Sequence, residues 1–125
     1  VPAQPVSYAV ASQTWRTLDA TPFSVVLAEL PDNCIVNLYG MMSAATAAGV
    51  GWIFHGIRGA KRGTGSAILI GSAVVLADVR DAGAASWTIT MGVSGNQLIA
   101  TVTGAAATDI TWGVTAFLHF TPLIQ

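Results

Sequence analysis

Residues 93–104 read VSGNQLIATVTG, and the fold turns on how that stretch is read. Ser94-Gly95-Asn96 is a turn-forming triplet. After it, Leu98, Ala100 and Val102 alternate with Ile99, Thr101 and Thr103, until Gly104 closes the run. Side chains along a strand point to opposite faces in turn, so the stretch predicts a hairpin turn followed by a strand with one core face. The same period extends on both sides. Trp87, Ile89, Met91 and Val93 alternate with Thr88, Thr90 and Gly92, and Ile110, Trp112, Val114, Ala116, Leu118 and Phe120 follow the linker GAAATD.

Working back along the chain, short apolar runs recur between turn signals. They predict eight strands, at 14–18, 23–29, 34–43, 51–59, 66–77, 86–93, 97–103 and 110–120. The expected fold is a single all-β domain over 13–125, an antiparallel β-sandwich or jelly-roll of about eight strands. An extended N-terminal arm is expected over 1–12, where Pro2 and Pro5 oppose regular structure.

Composition narrows the function. Only 9% of the 125 residues are charged and 53% are hydrophobic, with mean hydropathy +0.62. A typical soluble domain carries about 25% charged residues. Such a surface is either covered by copies of itself or by a partner, or it meets a membrane. The net charge of −1 provides no field for a polyanion, so no nucleic-acid partner is expected. Tyr39 to Ile57 is free of formal charge but contains four glycines, Ser43, Thr46 and His55. It is a poor match for the roughly 20 apolar residues of a spanning helix. No membrane span is expected, and a small holin-like pore-former stands only as an alternative. Cys34 is alone and is expected to be a small buried hydrophobe.

The outward positions of the last strands are polar but uncharged, and some are apolar. Threonine sits at a subunit interface without the desolvation cost of a charge. Ile99, Thr101, Thr103 and Phe117 are therefore candidate interface residues, and a closed homo-oligomer is the expected assembly.

The ordered run VSGNQL, IATVTG and TDITWGVTAFL, with Trp112 central in its last strand, resembles small β-sandwich domains of tailed-bacteriophage virion proteins. Tail-fibre and tail-spike tips are the nearest type. The resemblance covers Ser86 to Phe120, with weaker support from RGTGSAILIGSAVVLADVRDAG at 62–83. It implies a noncatalytic homotrimer exposed on the particle, with itself and other virion proteins as partners. The implied role is tail-fibre-type host attachment through a host-surface glycan or protein. Capsid decoration, with VPAQPVSY reaching a neighbour, is the alternative role.

Catalytic motifs fail on inspection. Gly63-Thr64-Gly65-Ser66 has Ile68 where a dinucleotide loop needs its third glycine, and Gly51–Gly56 leads to Ile57 rather than a phosphate-binding lysine. Met91-Gly92-Val93-Ser94-Gly95 continues with Asn96 and is no nucleophile elbow. A carbohydrate-acting enzyme would need paired carboxylates, and most aspartates fall in expected turns. His55 and His119 lack further ligands at metal spacing, so neither a metal nor a cofactor is expected. The segment HGIRGAKRG places His55, Arg58, Lys61 and Arg62 together in an expected loop. With Trp52 beside it and Trp15 as a second exposed aromatic, it is the candidate receptor or partner contact. Trp87 and Trp112 fall on core faces.

Overall fold

The computed structural model describes residues 7–123. Eight strands run in chain order: β1 Ser7–Thr17, β2 Phe23–Glu29, β3 Cys34–Ala45, β4 Gly51–Arg62, β5 Ile68–Arg80, β6 Thr88–Ser94, β7 Gln97–Thr103 and β8 Ile110–Pro122. They form two antiparallel sheets, one ordered β1-β8-β3-β4-β5 and the other β2-β7-β6. The expected all-β sandwich is the fold. The nested pairs β1–β8 and β2–β7 wrap as in a jelly roll, but β3 lies between β8 and β4 and never meets β6.

The opening stretch folds as read. Ser94 pairs with Gln97, and the two residues between them make the turn. Gly95 has φ +58, while Asn96 keeps an ordinary negative φ. A glycine of this kind at the first central position is the mark of a type II′ hairpin, whose twist suits the strands it joins.

Two boundaries move. The first strand begins at Ser7 rather than Thr14, and Tyr8, Val10 and Ser12 pair with His119, Phe117 and Thr115. No proline falls between Pro5 and Pro22, so nothing interrupts pairing along that stretch. The second half of the expected arm is thus sheet, while residues 1–6 lie outside the described residues. The supposed loop HGIRGAKR is the second half of β4, which pairs with β3 as far as Cys34↔Arg62. The uncharged window 39–57 is the hairpin from β3 to β4. No helix among the described residues is long and apolar enough to cross a membrane.

The core lies between the sheets, with a cluster of three tryptophans toward one end. Trp112 of β8 is fully buried. Its ring centroid lies 6.0 Å from that of Trp87, which leads into β6, and 6.3 Å from that of Trp52 on β4. Its indole Nε1 donates to Thr17 Oγ1 of β1 at 2.8 Å. Leu38, Leu98, Val102 and Leu118 extend the same core along the sandwich. Trp112→Ala is expected to cost about 3–5 kcal/mol, by emptying a large buried volume. Thr17→Val keeps the shape but orphans the indole N–H, at about 1–3 kcal/mol. Urea unfolding at one fixed protein concentration measures both, and a loss below about 1 kcal/mol for Trp112→Ala would displace the cluster from its central role.

Candidate functional site

Strand periodicity disperses the residues that the sequence grouped. Along β4, Trp52, Phe54, Arg58 and Ala60 point into the sandwich, while Ile53, His55, Ile57 and Lys61 point away. Trp52 is buried at 3% exposure, which corrects its expected place on the surface. Its indole Nε1 donates to Asp78 Oδ1 at 2.7 Å, and the Arg80 guanidinium covers its ring at 3.9 Å from the centroid. Arg58 is likewise interior, at 7% exposure. Its Nη2 donates to the Gly71 carbonyl at 2.8 Å, and its Nε has no partner. Arg62 closes one end of the sandwich, donating to the Leu30 and Gly65 carbonyls and pairing with Asp32. His55 Nδ1 shares a hydrogen bond with the Tyr39 hydroxyl at 2.8 Å. Lys61 alone of this group is fully exposed. No basic loop exists. Trp15 is half-buried, stacked on Phe23 with centroids 6.4 Å apart.

The carboxylates are held as firmly. Asp109 pairs with Arg16, Asp78 with Arg80 and Asp32 with Arg62. Asp19 and Asp81 accept from the backbone N–H groups of Thr21 and Gly51, and Glu29 accepts from Gln97. The described residues contain no cluster of three or more metal-ligating side chains. Cys34 is buried, and that burial pushes its thiol up despite the opposing pull of Arg62.

What the topology does gather is two unlike faces. On the outer side of the five-stranded sheet, Val10, Phe117, Tyr39, Ile57 and Val74 stand in one cross-strand row, in register across all five strands. Parallel rows on either side contain Tyr8, Met41, Ile53, Ile70 and Val79. Arg16 and Lys61 stand at opposite ends of this face, with no other Lys, Arg, Asp or Glu in the four rows between them. The central row is a ridge with a trough on each side. One trough, of about 490 Å³, lies over Gly113 and is bordered by Ser12, Met41, Ser43, Ile53 and Thr115. The other, of about 380 Å³, lies over Gly59. The missing side chains at these two glycines create the hollows.

The outer side of the three-stranded sheet bears hydroxyls instead. Ser24, Thr101 and Thr90 form one cross-strand row, and Thr103 and Thr88 another. Ser24 Oγ and Thr101 Oγ1 lie 2.7 Å apart. Ile99 stands on this face beside Val26. The four interface candidates therefore divide: Phe117 sits on the apolar face, and Ile99, Thr101 and Thr103 on the hydroxyl face across the sandwich. The apolar row was missed because it exists only through the register between strands distant in the chain.

No protein-family model matches the chain, and no curated protein does. Among solved structures it is similar to a tailspike protein, gp49 of Acinetobacter baumannii bacteriophage Fri1, described as a capsular polysaccharide depolymerase. The identity is 14% and the TM-score 0.48, over 90% of this chain and 17% of that one. Because that protein is an enzyme, the expectation of a noncatalytic chain is withdrawn.

The Arg80 hydrogen bond, helped by the Trp52 indole, holds the Asp78 carboxyl below its ordinary range. A carboxylate with a depressed folded pKa stabilises the fold above its unfolded pKa, and that contribution disappears as pH falls through the folded value. Carboxyl-carbon NMR is expected to show Asp78 titrating below the usual carboxylate range, and Arg80→Ala to move the midpoint upward. An unmoved midpoint would remove Arg80 as the cause.

Proposed function

We propose that this chain is an oligomeric surface subunit of a virus particle, of the tail-fibre type, and that it serves host attachment. The observation that carries the reading is the uncharged outer face of the five-stranded sheet, crossed by the apolar row Val10–Phe117–Tyr39–Ile57–Val74. A scattered exposed hydrophobe needs no explanation, but a contiguous patch of this size marks an interaction surface. Five strands spaced about 4.8 Å apart and some 35 Å long present roughly 800 Å². That is about the area one partner contributes to a stable protein interface.

The phage assignment draws support from the ordered segment Ser86–Phe120, which resembles virion tip domains and folds as a hairpin plus the strand bearing Trp112. With the apolar face turned to sister subunits, the hydroxyl face of the three-stranded sheet is left outward. Its serine and threonine groups both donate and accept hydrogen bonds, the chemistry that meets a glycan or a polar protein surface.

Two measurements test the reading. Light scattering on the isolated chain is expected to give a multiple of 12.8 kDa. Phe117→Asp is expected to weaken that association about 100-fold or more, because an unpaired carboxylate resists burial. A monomeric wild type overturns the oligomer. Antibody labelling of source particles under the electron microscope is expected to mark the tail. Label over the head would assign capsid decoration instead, and no label would overturn the virion reading.

A further inference from the structure

β5 is exposed on both of its sides along most of its length. Ile68, Ile70, Val74 and Val79 point to the outer face of the sheet at 60%, 38%, 50% and 65% exposure. Val75 pairs with inward-facing Gly56 yet remains 57% exposed, and Leu76, at a bulge beside it, is 52% exposed. From Ser66 to Ala77 the chain carries no formal charge. Five strands stand against three, and although the ends of β5 meet the smaller sheet, through the Ala67 N–H to the Gly95 carbonyl and Arg80 to the Trp87 carbonyl, its middle at the edge is left without a second layer.

The opposite seam of the sandwich is closed. There Gln13 of β1 donates to the Val26 carbonyl of β2, and Trp15 stacks on Phe23. An open, apolar edge normally recruits another strand, and proteins prevent this with charges, prolines or bulges. β5 has neither charge nor proline before Asp78, but its register breaks twice, opposite His55/Gly56 and Ile57/Gly59. Gly71 sits in the second irregularity at φ +57, and buried Arg58 holds its carbonyl from inside. The broken ladder blocks regular strand addition and leaves the side chains as the adhesive part.

Building on the oligomeric reading above, we propose that β5 of one copy packs by its side chains onto the apolar face of the next copy. It lies along the ridge at Val10, Phe117 and Tyr39 and fills the trough over Gly113. The occupant is a second copy of this chain for two reasons. Both surfaces are uncharged and lie on different parts of the same protomer, and the four acceptor strands β1, β8, β3 and β4 alone present roughly 670 Å², near what one partner contributes to a stable interface. One head-to-tail contact covers both patches, and such contacts close into rings when the rotation permits.

The test uses a Cys34→Ala background, so that only introduced cysteines react. Leu76→Cys on β5 combined with Ser43→Cys at the trough is expected to give ladders of covalently linked chains on oxidation. Leu76→Cys alone is expected to give none. In parallel, Val75→Asp is expected to dissociate the oligomer while leaving the circular-dichroism spectrum of the monomer unchanged. A linked dimer from Leu76→Cys alone overturns the proposal, because β5 then meets its own counterpart across a twofold axis. An oligomeric wild type whose double variant does not link and whose Val75→Asp variant does not dissociate also overturns it, while the oligomeric reading survives. A monomeric wild type with β5 protected only on intact particles gives the strand to another virion protein and overturns both.

Discussion

The packing of Trp112 between Trp87 and Trp52 is the contact on which the other features depend. It joins the two sheets toward one end, since Trp112 and Trp52 lie on strands of the larger sheet and Trp87 leads into the smaller. Three large rings can be buried together only if their polar edges are satisfied or shielded. Trp112 meets Thr17 and Trp52 meets Asp78, so the cluster also draws in β1 and the end of β5. The Trp87 indole N–H remains buried without a partner, a cost the packing must outweigh. Arg80 then covers Trp52 while donating to the Ala84 and Trp87 carbonyls, which ties the short turn at Ala82–Ala84 to the same cluster.

Much of this was legible from alternation alone. Threonine-rich strands with one apolar side announced a sandwich, and Ser94-Gly95-Asn96 announced its hairpin. The alternation also contained the correction to Trp52. Trp52 and Phe54 are two apart and share a face, so the apolar face of β4 had to include the tryptophan. The glycines and cations of HGIRGAKRG suggested a loop and hid that pattern. A strand flanked by strands on both sides tolerates glycine there because the neighbouring backbones supply the pairing. Arg58 then falls on the inner side by parity, an outcome that no charge-counting argument anticipates.

The apolar face was not legible, for a different reason. Val10, Phe117, Tyr39, Ile57 and Val74 come from five strands spread over most of the chain. Each alone is an ordinary outward hydrophobe. Their alignment depends on β8 pairing with both β1 and β3, and no local pattern encodes that register. The charge deficit predicted an uncharged surface somewhere on the molecule, without saying which strands would present it. The division of Phe117 from Ile99, Thr101 and Thr103 follows from the same limit: period two separates the faces of one strand, while the sheet order decides which faces join.

The imbalance of five strands against three links the fold to its assembly. A sandwich with equal sheets can shield the inner side of every strand within one chain. Here β4 and β5 extend the larger sheet past β3, and the smaller sheet ends at β6. The chain fills part of that overhang with Arg58, the Arg80–Trp52 stack and Met91, which packs near Gly40 and Gly56. It leaves Val75 and Leu76 exposed at the rim. Charged residues there would have made the monomer self-sufficient, as they do at the edges of many sheets. The sequence instead keeps Ser66–Ala77 uncharged and concentrates its ion pairs at the ends of the sandwich, in Arg16–Asp109, Arg62–Asp32 and Arg80–Asp78. Charge placed at the ends and withheld from the broad face and the long edge leaves both uncharged surfaces open to the self-association proposed above.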